Sequence, residues 1–167
     1  MENVGYTFVC VSSKDRNRAH YPSTSKFSVT LPHEIKDVLG VELIDSIIPN
    51  LNSVTDEPYL CLVVQELEGS VSSLDNSVGR ATSILYLDNE LTAGKPFIHV
   101  KSRSDGIKLT YNDTVKSSLS KFTINVLTED GSVFNFGTDN GASPLKTLQT
   151  TFVFKVAHRL YKMKTLL

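Results

Sequence analysis

Residues 121–136 read KFTINVLTEDGSVFNF. Phe122, Ile124 and Val126 alternate with Lys121, Thr123 and Asn125, the two-residue period of a strand with one face in a core. Thr128-Glu129-Asp130-Gly131-Ser132 then turns the chain, with Gly131 able to take a positive φ. Phe134 and Phe136 resume the alternation on the way back. The stretch predicts a β-hairpin with an apolar inner face.

The same period holds outward along most of the chain. Strands are expected at residues 6–12, 26–31, 38–48, 59–67, 84–87, 97–100, 107–111 and 150–158, the last with Phe152, Phe154 and Val156 inward. Residues 68–83 and 137–144 are polar and read as loops. Short helical turns are expected at 33–37 and 145–149. No long helix and no repeat of fixed period is predicted. The pattern is all-β: an antiparallel β-sandwich, read as a single jelly roll of about eight to nine strands. Strand count alone leaves an immunoglobulin-like sandwich open.

Two strands are apolar on both faces: 59–67, with Tyr59, Cys61 and Val63 against Leu60, Leu62 and Val64, and 38–48. Along residues 38–48, Val41, Leu43 and Ile47 share one face while Ile44 and Ile48 lie on the other. A strand apolar on both faces needs cover on both. Ile44 and Ile48 are therefore candidate inter-subunit contacts.

Size and charge narrow the function. A chain of 167 residues with 40% hydrophobic and 21% charged residues suits one domain, spanning 1–167. The formal net charge of -1 provides no field for a polyanion, so no specific nucleic acid is expected. Cys10 and Cys61 lie in apolar runs and read as two buried reduced thiols, with a disulfide between neighbouring strands as the alternative. The first residues do not resemble a secretory signal, and no apolar run approaches the ~20 residues of a membrane span. The sequon Asn112-Asp113-Thr114 is then expected to stay unmodified.

No constellation for chemistry stands out. His20, His33, His99 and His158 are not paired at metal-ligand spacing, and no CxxC, HExxH or Walker motif occurs. Asp139-Asn140-Gly141 lacks the spaced carboxylates of a calcium loop. Neither an enzymatic site nor a cofactor is expected. Two polar segments remain. Lys14, Asp15, Arg16, Asn17 and Arg18 form a mixed-sign cluster, read either as a solvated loop or as an inter-subunit docking site using bidentate Arg. The extended tail, 158–167, carries Arg159, Lys162 and Lys164 beside Leu160, Tyr161 and Met163. It either frays or tucks into a neighbouring subunit, with membrane-surface attachment a third reading.

The order of pieces in residues 12–50 carries a resemblance. Ser13-Lys14-Asp15-Arg16-Asn17 is followed by Tyr21-Pro22-Ser23 and by Lys26-Phe27-Ser28-Val29-Thr30-Leu31-Pro32. Then come Ile35-Lys36-Asp37-Val38, Val41-Glu42-Leu43 and Ile48-Pro49-Asn50. This series resembles minor capsid proteins of nucleocytoplasmic large double-stranded DNA viruses. The likeness is dense over the first fifty residues and loose from Val54 to Ser118. It implies a single jelly-roll subunit of an icosahedral capsid, without catalytic residues. Its implied partners are the major capsid protein and other minor capsid proteins, close to an inner membrane. Its implied location is the virion, assembled in the host cytoplasm. The competing class is a β-sandwich binding module for a carbohydrate or other small ligand, in which Tyr59, Tyr86 and Tyr111 would have to serve, since the chain has no Trp. A β-sandwich hydrolase with a dispersed site is a third class.

Overall fold

The computed structural model describes residues 3–67, 71–72, 80–87, 94–101, 108–110 and 116–160. Among these residues ten strands form: β1 (Val4–Ser12), β2 (Lys26–Pro49), β3 (Tyr59–Val64), β4 (Val71–Ser72), β5 (Arg80–Ala81), β6 (Ser83–Tyr86), β7 (Phe97–Lys101), β8 (Lys108–Thr110), β9 (Lys116–Leu127) and β10 (Thr151–Arg159). One antiparallel sheet runs β1-β10-β2-β9-β3-β6, with β7 and β8 also on β2, and β4 and β5 form a separate short ladder. The sheet curls on itself into an antiparallel β-sandwich of jelly-roll-like form, as the strand periodicity predicts.

β2 makes the curl. It has 24 residues, far longer than an ordinary strand. Its first part pairs with β9, and its second part lies between β10 on one side and β7 and β8 on the other. The expected strands at 26–31 and 38–48 are thus one continuous element. The helical turn predicted at 33–37 does not form; that stretch belongs to the strand, with Asp37 at φ 52°. The ladder breaks there instead, since Thr30 is opposite Lys121 and Ile35 is opposite Leu119. Four residues of β2 therefore face one of β9, an irregular bulge that bends the strand. Pro32 falls inside it, where no ladder N–H is required.

A second bulge corrects the two-faced strand. Leu43 is opposite Phe154 and Asp45 is opposite Val153, so Ile44 has no counterpart. Val41 and Leu43 point inward before the bulge, and Ser46 and Ile48 point inward after it. One extra residue moves the inward positions from odd to even numbers. Ile48 is fully buried in the core and has no surface to offer a neighbouring subunit, and Ile44 is half-buried. Ile47, expected beside Val41 and Leu43, is exposed.

Phe27, Phe122, Phe136, Phe152 and Phe154 are the largest fully buried side chains. The Phe122 ring on β9 stacks on the Phe154 ring on β10 with centroids 4.8 Å apart. These strands are not neighbours in the sheet, so the contact ties its two curled parts together across the core. The predicted turn at 128–132 forms, with Gly131 at φ 84° and Thr128 N–H donating to Ser132 O. The return arm pairs only through Leu127 and Val133 and the bond from Phe134 N–H to Val126 O. Beyond that it is not a regular strand. Burial of Phe134 and Phe136 holds it, not a ladder.

Smaller differences follow. β3 stops at Val64, and the expected loop at 68–83 contains β4 and β5. The turn at 145–149 is a 3-10 helix, Lys146–Leu148. Both cysteines are unbonded; Cys61 is buried, but Cys10 is exposed, against the expectation of burial. Ile107, Tyr111, the Asn112-Asp113-Thr114 sequon, Lys162 and Lys164 lie outside the described residues.

Candidate interaction surface

β1 is the terminal strand of the sheet, paired on one side with β10 in unbroken register from Val4 opposite Arg159 to Ser12 opposite Thr151. Ser13 N–H donates to Thr150 O at 2.9 Å, and Leu160 N–H donates to Asn3 O at 2.8 Å. Antiparallel bonding alternates, so odd-numbered residues of β1 exchange bonds with β10. The backbone N–H and C=O groups of Val4, Tyr6, Phe8 and Cys10 therefore point to the open side, where no described strand lies. Their side chains share the outer face. Val4 is 40%, Tyr6 56% and Phe8 64% accessible, and Cys10 is also exposed.

Edge strands of soluble proteins are normally blunted by Lys, Pro or a bulge. β1 has none of these, and no charged residue lies between Val4 and Ser12. A cation on the neighbouring strand, Lys155 of β10, has its Nζ 4.6 Å from the Tyr6 ring centroid. Beside this edge lies a groove of about 600 Å³. Thr7, Phe8, Val9 and Cys10 form one wall, residues 31–37 of β2 form the other, and His158 and Arg159 close one end. The bulged bend of β2 makes that second wall. Val9 turns into the core on the inner face, while His158 Nε2 lies 3.1 Å from Thr7 Oγ1.

The cluster at 14–18 divides differently from its prediction. Lys14, Asp15 and Asn17 are exposed, and Asn17 Oδ1 accepts from Ala19 N–H in a local turn. Arg16 is not a surface group: its side chain has no accessible area. All five of its N–H donors are used. Nε donates to Tyr21 O (2.8 Å); Nη1 donates to Ser13 O (2.7 Å) and Gln149 Oε1 (3.0 Å); Nη2 donates to Pro22 O (3.2 Å) and Asp139 Oδ2 (2.7 Å). Ser13 Oγ also donates to Gln149 Oε1, and Gln149 Nε2 donates to Asp139 Oδ2 and Leu145 O. Arg18 is partly exposed and donates to the carbonyls of Asp139 and Gly141.

This is a buried network, complete around Arg16 though Arg18 Nε makes no hydrogen bond, that joins the loop after β1 to the segment before β10. Arg16 holds the fold together and presents nothing to a partner. Burial acts to raise the Asp139 carboxyl, but the Leu145 N–H, the Arg16 guanidinium and the Gln149 amide outweigh it. They hold the group at about 2, well below the usual carboxylate range.

Elsewhere, His99 is half exposed, its Nε2 2.5 Å from Asp45 Oδ1. Arg159 is half-buried at the groove end. Among the described residues, no group of three His, Cys, Asp or Glu side chains is placed to hold a metal. Also among them, no helix is long and apolar enough to cross a membrane. Sequence reasoning missed the outer stripe of β1. Its signal was present: Tyr6, Phe8 and Cys10 alternate with Val9 and Val11, leaving the strand apolar on both faces with no charge to mark an outside.

A family model described as a family of unknown function (DUF5901) matches residues 2–115. The chain belongs to that family. No curated protein matches it.

Proposed function

We propose that this DUF5901 member is a structural minor capsid protein of a large icosahedral double-stranded DNA virus. It cross-links or supports major capsid capsomers through protein–protein contacts and performs no catalysis. The observation that carries the reading is the unguarded edge of β1 beside an apolar groove. A solitary soluble domain gains nothing from leaving such an edge open, whereas an assembly component completes it with a neighbour.

The residues that carry the family resemblance support the same reading, because each stands where a jelly-roll-like fold needs it. Ser13 and Arg16 build the buried network. Leu31-Pro32 enters the bulge that bends β2. Ile48-Pro49-Asn50 ends β2, where Asn50 Nδ2 donates to Lys95 O and its N–H to Pro96 O. The motif is a folding signature, and docking falls to β1. The partners are the major capsid protein and other minor capsid proteins, and the location is the virion, assembled in the host cytoplasm near an inner membrane.

Quantitative peptide mass spectrometry of purified particles tests this. The chain should be present in a fixed ratio to the major capsid protein, and a side-chain-resolution map should place it beneath or between capsomers. Its absence from particles overturns the proposal.

A further inference from the structure

We infer that two copies of this chain associate through antiparallel pairing of their β1 strands, which joins the two sheets edge to edge across a two-fold axis. The inference stands on the strand itself and does not need the capsid role.

The edge is built for another strand. Val4, Tyr6, Phe8 and Cys10 direct their backbone donors and acceptors to the side of β1 away from β10, where no described strand lies. A pairing strand satisfies those groups and covers the exposed side chains at once.

The occupant follows from self-complementarity. A two-fold contact sets each residue against its symmetry partner's counterpart, so a charged edge would face its own sign. β1 carries no charge, and this obstacle is missing. Only even-numbered residues have open backbone groups, so only registers that pair even with even are bonded. One register uses the whole stripe: Val4 opposite Cys10 of the second copy, and Tyr6 opposite Phe8 of the second copy. It forms two aromatic cross-strand pairs, favourable cross-strand partners. It also merges two exposed stripes into one covered band. Registers shifted by two residues leave Cys10 or Val4 outside the stripe pairing.

The test is sedimentation velocity of the full chain over a concentration series up to about 100 μM, a range that spans ordinary dimer affinities, with two variants. Phe8→Pro removes an N–H that points away from β10, so the β1–β10 ladder stays intact while the open edge is blocked. Phe8→Lys puts a charge in the stripe as edge strands normally do. Wild type should sediment as a dimer, and each variant should weaken association at least roughly tenfold with an unchanged circular dichroism spectrum. A third variant, Val4→Cys, reads the register. The introduced thiol then faces Cys10 of the second copy at a separation a disulfide spans. Mild oxidation should give a covalent dimer that disappears when Cys10→Ser is added. A wild-type monomer at the top concentration overturns the inference. So does a dimer that both Phe8 variants leave unchanged, or a failure of Val4→Cys to cross-link.

Discussion

Replacing Arg16 by Ala should cost far more than a surface arginine does. The guanidinium donates to three backbone carbonyls, one carboxylate and one amide oxygen, and none of its area meets solvent. Its loss leaves the Asp139 carboxylate buried beside only the Gln149 amide, the Leu145 N–H and the more distant Arg18. Breaking a buried pair by removing one partner costs about 3–5 kcal/mol. For a chain of 167 residues, at roughly 2–4 °C per kcal/mol, the melting midpoint should fall by about 6–20 °C. Arg16→Lys should recover little, because one ammonium cannot replace a planar five-donor fork. Urea unfolding followed by far-UV circular dichroism at pH 7 measures the loss. The pH dependence gives a second readout. The folded Asp139 carboxyl titrates near 2 against about 3.9 unfolded, so its contribution is complete above about pH 4 and drains as pH falls through about 2. That shift corresponds to between about 2 and 3 kcal/mol. In Arg16→Ala the folded value should rise, and the acid-side slope should flatten. A loss under about 1 kcal/mol at pH 7, the range of ordinary surface substitutions, would refute the claim that this network holds the loops.

Three further outcomes follow from the fold. Ile48→Ala should destabilise by about 2–5 kcal/mol and Ile47→Ala by under about 1 kcal/mol, since the bulge at Ile44 buries the former and exposes the latter; equal costs in chemical denaturation would mean the bulge is misplaced. Gly137→Ala should cost about 1–2 kcal/mol, because Gly137 has φ 133° and a Cβ there would stand 3.1 Å from Leu148 Cδ2; a neutral result in thermal melts would contradict that geometry. At concentrations low enough to keep the chain monomeric, Cys10 should react with an aromatic disulfide reagent in the folded protein, while Cys61, buried and with its thiol pKa pushed up by desolvation, should react only on unfolding; two thiols of the folded monomer titrating together would rule this out.

How far the sequence reaches depends on whether an element is decided locally. The hairpin turn at 128–132 was legible because its Gly and polar residues act within five positions, and the inward phenylalanines of β10 followed from period two alone. Bulges were not legible. Ile44 is an ordinary strand residue, and nothing in Val41-Glu42-Leu43-Ile44 marks it as unpaired; only the register against β10 makes it so. Missing that one residue turned a strand with a single inner face into one that demanded two covers, and moved Ile48 from core to surface. Arg16 failed for a related reason. A dense run of charged residues reads as solvated, and the partners that bury Arg16, Asp139 and Gln149, lie more than a hundred residues away.

The two corrections move the candidate docking surface to β1. Ile48 and Arg16, two of the sequence candidates for contact, belong to the interior. The surface that remains is one whose sequence looked like plain core strand. A β-strand between two layers and an edge strand waiting for a neighbour have the same composition, because both lack charge on either face. What separates them is position in the sheet order, and that order comes from pairing between β1 and β10, at opposite ends of the chain. An uncharged strand apolar on both faces near a terminus is therefore ambiguous between core and interface until its second neighbour is known. In this chain the open side of β1 has none among the described residues, so the interface reading is the one its physics favours.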